Sequence, residues 1–307
     1  MLALQGCIIF DKKEENPVYE YEQKKYNRLI EVQKFTLSSD LCVIENDVNE
    51  LNFNLSEDIS GAALFNLTDK KVLYGHHLFE RVYPASITKI MTALLLIENA
   101  DLEENITITA EAVNFPSYAV TCGLHVGDQI KLKDLLYGLL LPSGNDAAAA
   151  IAIYLDGSIE GFANRMNERA SNLVATGTHF VSPHGLHDDN HYTTPYDLYM
   201  IFNECIKHPE FVEAISTPYY SSQVLGNNGV TRTLDFATTN LYLKGSKDVP
   251  GTIIMDGGKT GTTNEAMNCL ILLTHNKENT TPYISMILGA STKDAVYQNM
   301  SGLYEAL

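Results

Sequence analysis

Hydrophobic positions along the chain follow two periodicities. GAALFNLTDKKVLYG, over 61–75, places apolar runs on either side of a polar turn at Asn66 to Lys71 and predicts a pair of strands. CLILLTH at 269–275 and YISMILGAS at 283–291 are apolar runs of strand length separated by the polar NKENTTP. Between these β regions the pattern is mostly helical. From Ser86, the positions Ile87, Ile90, Met91, Leu94 and Leu95 follow helical spacing, and Leu96 and Ile97 add apolar bulk on other faces, so this helix is expected to be buried nearly all round. Pro84 stops it upstream, and Ser86 falls at the cap or first turn. DLLYGLLL at 134–141 predicts a second helix, broken by Pro142, and the alanine-rich DAAAAIAIYL at 146–155 a third. Strands at both ends with helices between predict an α+β layered domain in which the terminal strands share one sheet.

Residues 11–34 are polar and charged without an apolar period, so residues 1–34 are expected to be an anchor or flexible arm and residues 35–307 the folded domain. Leu4-Gln5-Gly6-Cys7 resembles a bacterial lipobox, but too few residues precede Cys7 for an export signal. The expectation is a lipid on Cys7, tethering the N-terminus to a membrane, or a start lying upstream. The 38 acidic against 21 basic residues give a net charge of −17, which argues against binding nucleic acid or a polybasic membrane contact. Five scattered cysteines form no C-x-x-C pair, and the last four, Cys42, Cys122, Cys205 and Cys269, read as buried small hydrophobes.

Three short motifs carry chemistry. Ser86-Ile87-Thr88-Lys89 places a hydroxyl and an amine one turn apart on one helix face. A serine becomes nucleophilic when a base takes its proton, and a lysine of lowered pKa can be that base. Ser143-Gly144-Asn145 is a polar tripeptide between apolar helices, either a plain turn or a loop pushed into a cleft. Lys259-Thr260-Gly261, after Gly257 and Gly258, suits a strand lining a cleft. It lacks the spacing of a phosphate loop.

S-x-x-K, S-x-N and K-T-G in this order resemble the motif set of serine β-lactamases and penicillin-binding proteins. Over residues from about 55 to about 300 the chain resembles the low-molecular-weight penicillin-binding proteins, the serine D-alanyl-D-alanine carboxypeptidases. The strongest stretches are PASITKIMTALL, GLHVGDQIKLKDLLYGLLLPSGNDAAAAIA, FVSPHGLHDDNHYTTPYDL and GGKTGTTNEA. The resemblance implies a β-lactamase-like fold, a mostly antiparallel sheet with a helical lobe. It implies Ser86 as the acylated nucleophile, Lys89 as its base, Ser143 as proton relay and Asn145 as the residue orienting Lys89 and the substrate amide. Lys259 and Thr260 are implied to hold the terminal carboxylate of D-Ala-D-Ala, with Gly261 letting the substrate approach. The backbone N–H groups of Ser86 and Thr262 are implied as the oxyanion hole. The implied partners are a peptidoglycan stem peptide ending in D-Ala-D-Ala and β-lactams that trap Ser86. No cofactor or metal is implied, and the implied location is the extracytoplasmic face of a bacterial membrane or the cell wall. The C-terminal β domain and amphipathic helix common in that family have no room before Leu307.

A class A β-lactamase is the nearest rival. It needs a water-activating glutamate, and the near match, Glu168, falls opposite the apolar stripe Phe162, Met166, Ala170 and Leu173, where it is expected to pair with Arg165. A metallopeptidase is suggested by His179, His184, His187 and His191, but no H-E-x-x-H is present and the stretch reads as a loop bordering the cleft. A third rival is a β-lactam sensor that binds penicillin and releases no D-alanine.

Overall fold

The computed structural model describes residues 41–307. β1 (Val48–Asn49), β2 (Gly61–Asn66) and β3 (Lys71–His76) come first, followed by a 3-10 turn at Ala85–Thr88 that runs into α1 (Lys89–Asn99). β4 (Asn105–Thr107), β5 (Gln129–Lys131), α2 (Leu132–Leu140), α3 (Asn145–Asp156) and α4 (Ile159–Asn172) follow. Next are α5 (Pro195–Cys205), α6 (Pro209–Ser216), β6 (Tyr219–Leu225) and β7 (Thr231–Ala237). β8 (Ile253–Thr263), β9 (Met267–Asn276), β10 (Pro282–Ala290) and α7 (Lys293–Glu305) complete the chain.

A six-stranded antiparallel sheet runs β1-β3-β2-β10-β9-β8, so strands from both ends of the chain interleave as expected. Every residue of β2 is buried because helices cover both sheet faces. Ala62 and Leu64 face the cluster that includes Tyr297, Met300 and Leu303 of α7. On the other face, Phe65 stacks on Tyr199 of α5 at 4.0 Å between ring centroids. Continuous apolar runs in β2, β9 and β10 are the sequence signature of this double coverage.

α1 is the centre of the helical lobe. Its residues from Lys89 to Leu96 are all buried, and it packs on α2, α3 and α5. Each fully buried leucine contributes about 1.5–3 kcal/mol by leaving water. Ala147 to Ala150 of α3 are buried, and their small side chains let α3 approach its neighbours closely. The first turn before α1 is 3-10, so Ser86 lies on that tighter turn and does not cap the helix.

The middle of the chain is less helical than its pattern suggests. β4, β5, β6 and β7 form a second antiparallel sheet in that order. β6 and β7 make a hairpin closed at Gly226 and Val230, and Ser222, Val224, Leu234 and Phe236 point inward. Half of the remaining positions are Thr, Ser, Gln or Arg, which diluted the apolar signal while leaving the period of two in place. A second difference lies on α4. Glu168 is exposed as expected, but Arg165 turns to Asp156 at 2.6 Å rather than to Glu168.

The compact unit spans Cys42–Leu307. The expected arm, its boundary at residue 34, and Cys7 lie outside the described residues. No helix among the described residues is long and apolar enough to cross a membrane.

Candidate active site

Three segments meet where the two lobes join: the turn before α1, the α2–α3 connection, and the last half of β8. Ser86 follows Ala85, whose φ of +46° is a left-handed conformation that costs a non-glycine residue energy. β8 lies directly behind this turn. A Cβ at Gly261 would stand 2.9 Å from the Pro84 carbonyl and 3.1 Å from the Ser86 nitrogen, so this close approach needs glycine. Ser143 also has a left-handed backbone, with φ of +68°, at the break that Pro142 makes after α2. Both serines of the site therefore sit at or beside a strained backbone.

Lys89 is 0% exposed. Its Nζ lies 3.0 Å from Ser86 Oγ, 2.8 Å from Asn145 Oδ1 and 2.7 Å from the His184 carbonyl oxygen. Burial pulls its pKa well below that of free lysine, and the charge of Lys259 adds to this, against an opposing pull from Asp146. A neutral amine has two N–H bonds and one lone pair. The Asn145 and His184 oxygens are pure acceptors and take both N–H bonds, which leaves the lone pair for the Ser86 hydroxyl.

A second serine–lysine pair stands beside the first. Lys259 Nζ donates to Ser143 Oγ at 2.9 Å and to the Thr260 carbonyl at 2.9 Å. Burial pulls the Lys259 pKa down to about 7. Thr260 Oγ1 is 2.6 Å from Thr239 Oγ1, and one of these hydroxyls keeps its own hydrogen free. Ser86, Ser143, Thr260, Gly261 and Thr262 line one cleft of about 280 Å³. The Thr262 side chain donates to the Gly261 carbonyl at 2.8 Å. All eight residues picked out in the sequence thus lie at one place, although Lys259 points to Ser143 rather than to open cleft.

Several contributors carried little sequence signal. The His184 ligand to Lys89 is a backbone carbonyl, which any residue supplies. Asp146, next to the S-x-N tripeptide, is buried and accepts from the backbone N–H groups of Cys122, Gly123 and Leu124 at 2.8–3.0 Å. It fastens the cleft wall that carries Val120. His191 accepts from Val181 N–H at Nδ1, which places its own proton on Nε2, 2.8 Å from Thr88 Oγ1. Thr88 Oγ1 in turn donates to the Ala85 carbonyl at 2.8 Å. The histidine loop therefore braces the turn that carries Ser86. Among the described residues the grouping with metal-like spacing is Glu98, Glu204 and His208, well away from this loop, and Arg169 already bonds both of its carboxylates.

Comparison with known proteins follows the same lines. A family model for D-alanyl-D-alanine carboxypeptidase matches residues 56–292. D-alanyl-D-alanine carboxypeptidase DacF of Bacillus subtilis is 32% identical over 243 residues, which are 78% of this chain and 59% of that protein. The D-alanyl-D-alanine carboxypeptidase of Streptomyces sp. K15 is 34% identical over 227 residues, 69% of this chain and 75% of its own length. DacA of Haemophilus influenzae is matched over 52% of its length, so the chain spans between roughly half and three quarters of these three relatives. The crystal structure of the Streptomyces K15 DD-transpeptidase superposes with a TM-score of 0.74 at 27% identity, over 86% of this chain and 98% of that one. With the match to residues 56–292 and this shared architecture, the chain belongs to the D-alanyl-D-alanine carboxypeptidase family.

Proposed function

We propose that the chain is a serine-type D-Ala-D-Ala carboxypeptidase that removes the terminal D-alanine from peptidoglycan stem peptides through an acyl-enzyme on Ser86. The observation that carries this reading is the 3.0 Å separation of Lys89 Nζ from Ser86 Oγ, with both other Lys89 contacts occupied by acceptors. Ser86 Oγ attacks the carbonyl carbon of the penultimate D-alanine while Lys89 Nζ takes its proton. The carbonyl oxygen gains negative charge and faces the backbone N–H groups of Ser86 and Thr262. As the C–N bond breaks, the same proton is relayed through Ser143 Oγ to the leaving nitrogen. Lys259 orients Ser143 by its hydrogen bond, and Asn145 holds both Lys89 and the substrate amide. Thr260 donates to the substrate's terminal carboxylate. Water then adds to the ester, returns the proton to Ser86 and frees the shortened peptide.

A β-lactam presents its strained amide to the same serine and leaves it acylated. Peptidoglycan lies outside the bacterial membrane, so the site works on the extracytoplasmic face, with Cys7 as the lipid tether. Labelling with a radiolabelled fatty acid in a bacterial host, in wild type and Cys7→Ser, tests the tether.

The test of the activity is D-alanine release from a synthetic stem peptide. Wild type releases D-alanine, Ser86→Ala does not, and prior treatment with penicillin stops wild type. Penicillin labelling without D-alanine release overturns the reading in favour of a sensor. Rapid penicillin hydrolysis supports a β-lactamase instead, and loss of activity in a chelator supports a metallopeptidase.

A further inference from the structure

Four acidic side chains are buried among the described residues, and three of them have a side-chain partner away from the site. Asp128 pairs with Arg232, Asp134 takes the Tyr220 hydroxyl and Asp197 takes the Thr178 hydroxyl. Asp146 is different. It is 1% exposed and forms no ion pair among the described residues. Its Oδ1 accepts from the backbone N–H groups of Cys122 at 2.8 Å and Ala147 at 3.0 Å, and its Oδ2 from those of Gly123 and Leu124 at 3.0 Å each. A carboxyl group that only accepts is the ionised form.

The same interior holds two amines. Lys89 and Lys259, 0% and 1% exposed, are the only lysine or arginine side chains buried among the described residues. Asp146 lies in the first turn of α3, directly after Asn145, whose Oδ1 holds Lys89 Nζ at 2.8 Å. The other titratable groups packed around these three are neutral. Burial holds the His184 and His191 imidazoles down at about 3 and about 4, and burial together with the Asp146 charge pushes the Cys122 thiol well up. Lys244 and Lys293, at the cleft mouth, are exposed, and water and salt screen them.

Burying unbalanced charge is costly. One carboxylate against two amines balances one positive charge. With both lysines protonated, one positive charge is left over, and with both neutral the carboxylate is. The state with one proton on the pair is the balanced one, and it is also the state in which one lysine can be a base while the other remains a cation. Resting on the carboxypeptidase reading above, we propose that Asp146 is a positioning residue for the proton chemistry: its carboxylate is the counter-charge that fixes a single positive charge on the lysine pair, so that Lys89 is free to take the Ser86 proton while Lys259 stays charged beside Ser143. Its place in the first turn of α3 and its grip on the 122–124 backbone are a structural role that it fills as well, and the two roles have different signatures.

The experiment follows acylation by a fluorescent penicillin against pH in wild type, Asp146→Asn, Asp146→Glu and the double variant Asp146→Asn/Lys259→Met. In Asp146→Asn the rising limb moves to lower pH by about one unit, a tenfold gain in neutral over protonated Lys89 at a given pH. Asp146→Glu keeps the charge and loses the fit to the loop nitrogens, so its rate falls while its limb stays. The double variant has lost one charge of each sign, and its limb returns toward the wild-type position. A structural role alone lowers the rate in both single variants and moves the limb in neither. A limb that stays put or moves up in Asp146→Asn overturns the assignment. If circular dichroism shows Asp146→Asn unfolded, adding Lys259→Met restores folding, because charge balance is what was lost, and a double variant that also fails to fold overturns the assignment. If wild type is not acylated at all, the carboxypeptidase reading itself falls. Acylated wild type with an unmoved limb in Asp146→Asn sinks the Asp146 assignment alone.

Discussion

The Lys89 amine lies 2.7 Å from the backbone carbonyl of His184, and this contact decides where its lone pair points. With Asn145 Oδ1 as the second acceptor at 2.8 Å, the neutral amine has one direction left, and Ser86 Oγ occupies it. The strained turn, the histidine loop and the α2–α3 connection each supply one part of that arrangement.

Lys89→Arg tests the demand for a base. Arginine keeps the positive charge and cannot lose its proton at any workable pH. Acylation by a fluorescent penicillin should fall about 10³-fold, the range of a lost general base, while circular dichroism remains native. Near-wild-type labelling would show that Ser86 needs no proton acceptor at this position.

The pH dependence follows from the two lysines. In the proposed mechanism acylation requires neutral Lys89, so its rate rises with pH as that proton leaves, at a pH well below the free-lysine value. The charge on Lys259, itself pulled to about 7, helps expel the Lys89 proton. The observed step belongs to the coupled pair. Lys259→Met removes that charge, so Lys89 holds its proton more tightly and the rising limb moves to higher pH. Stopped-flow acylation rates across the neutral range read this shift directly. A limb that moves down or stays put contradicts the electrostatic link.

Gly185 has a left-handed φ of +78°, and a Cβ there would stand 2.0 Å from the Ala85 carbonyl oxygen. No small adjustment accommodates that clash with backbone. Gly185→Ala should destabilise the fold by more than about 2 kcal/mol in urea unfolding. Because Ala85 precedes Ser86 and the His184 carbonyl binds Lys89, the proposed mechanism has the folded fraction acylate more slowly as well.

Acid stability depends on the buried histidines. Burial lowers the pKa of His184 to about 3 and that of His191 to about 4. In the unfolded chain both take up protons at their ordinary value near 6.5. Between those values the unfolded state binds more protons, so stability is full above about pH 6.5 and is lost as pH falls toward 4 and then 3. Each histidine contributes a loss of about 1.4 kcal/mol per pH unit within its window. His191→Gln should flatten the curve between about pH 6.5 and 4, measured by urea unfolding. An unchanged slope would mean that His191 is protonated in the folded protein without penalty.

The Ser86 and Lys89 part of this arrangement was legible because it rests on short-range patterns. Ile87, Ile90, Met91, Leu94 and Leu95 marked a buried helix, and a lysine embedded among them stood out as costly. The terminal strands were legible because β2, β9 and β10 are covered on both faces and so read as unbroken apolar runs. The β6–β7 hairpin was harder. Its buried residues, Ser222, Val224, Leu234 and Phe236, are separated by polar ones, and one of the four is itself a serine. The His184 carbonyl left no trace at all, since a main-chain acceptor has no side-chain signature. Charge partners were equally hidden: Asp156 reaches Arg165 from the end of the preceding helix, where helical spacing had pointed to Glu168.

In the proposed mechanism Ser86 is the acylated nucleophile, activated by Lys89. Intact mass measurement after incubation with penicillin, followed by peptide mapping, is the decisive test. One covalent adduct is expected on the peptide carrying Ser86, and none in Ser86→Ala. An adduct on another residue, or an adduct that persists in Ser86→Ala, would contradict it.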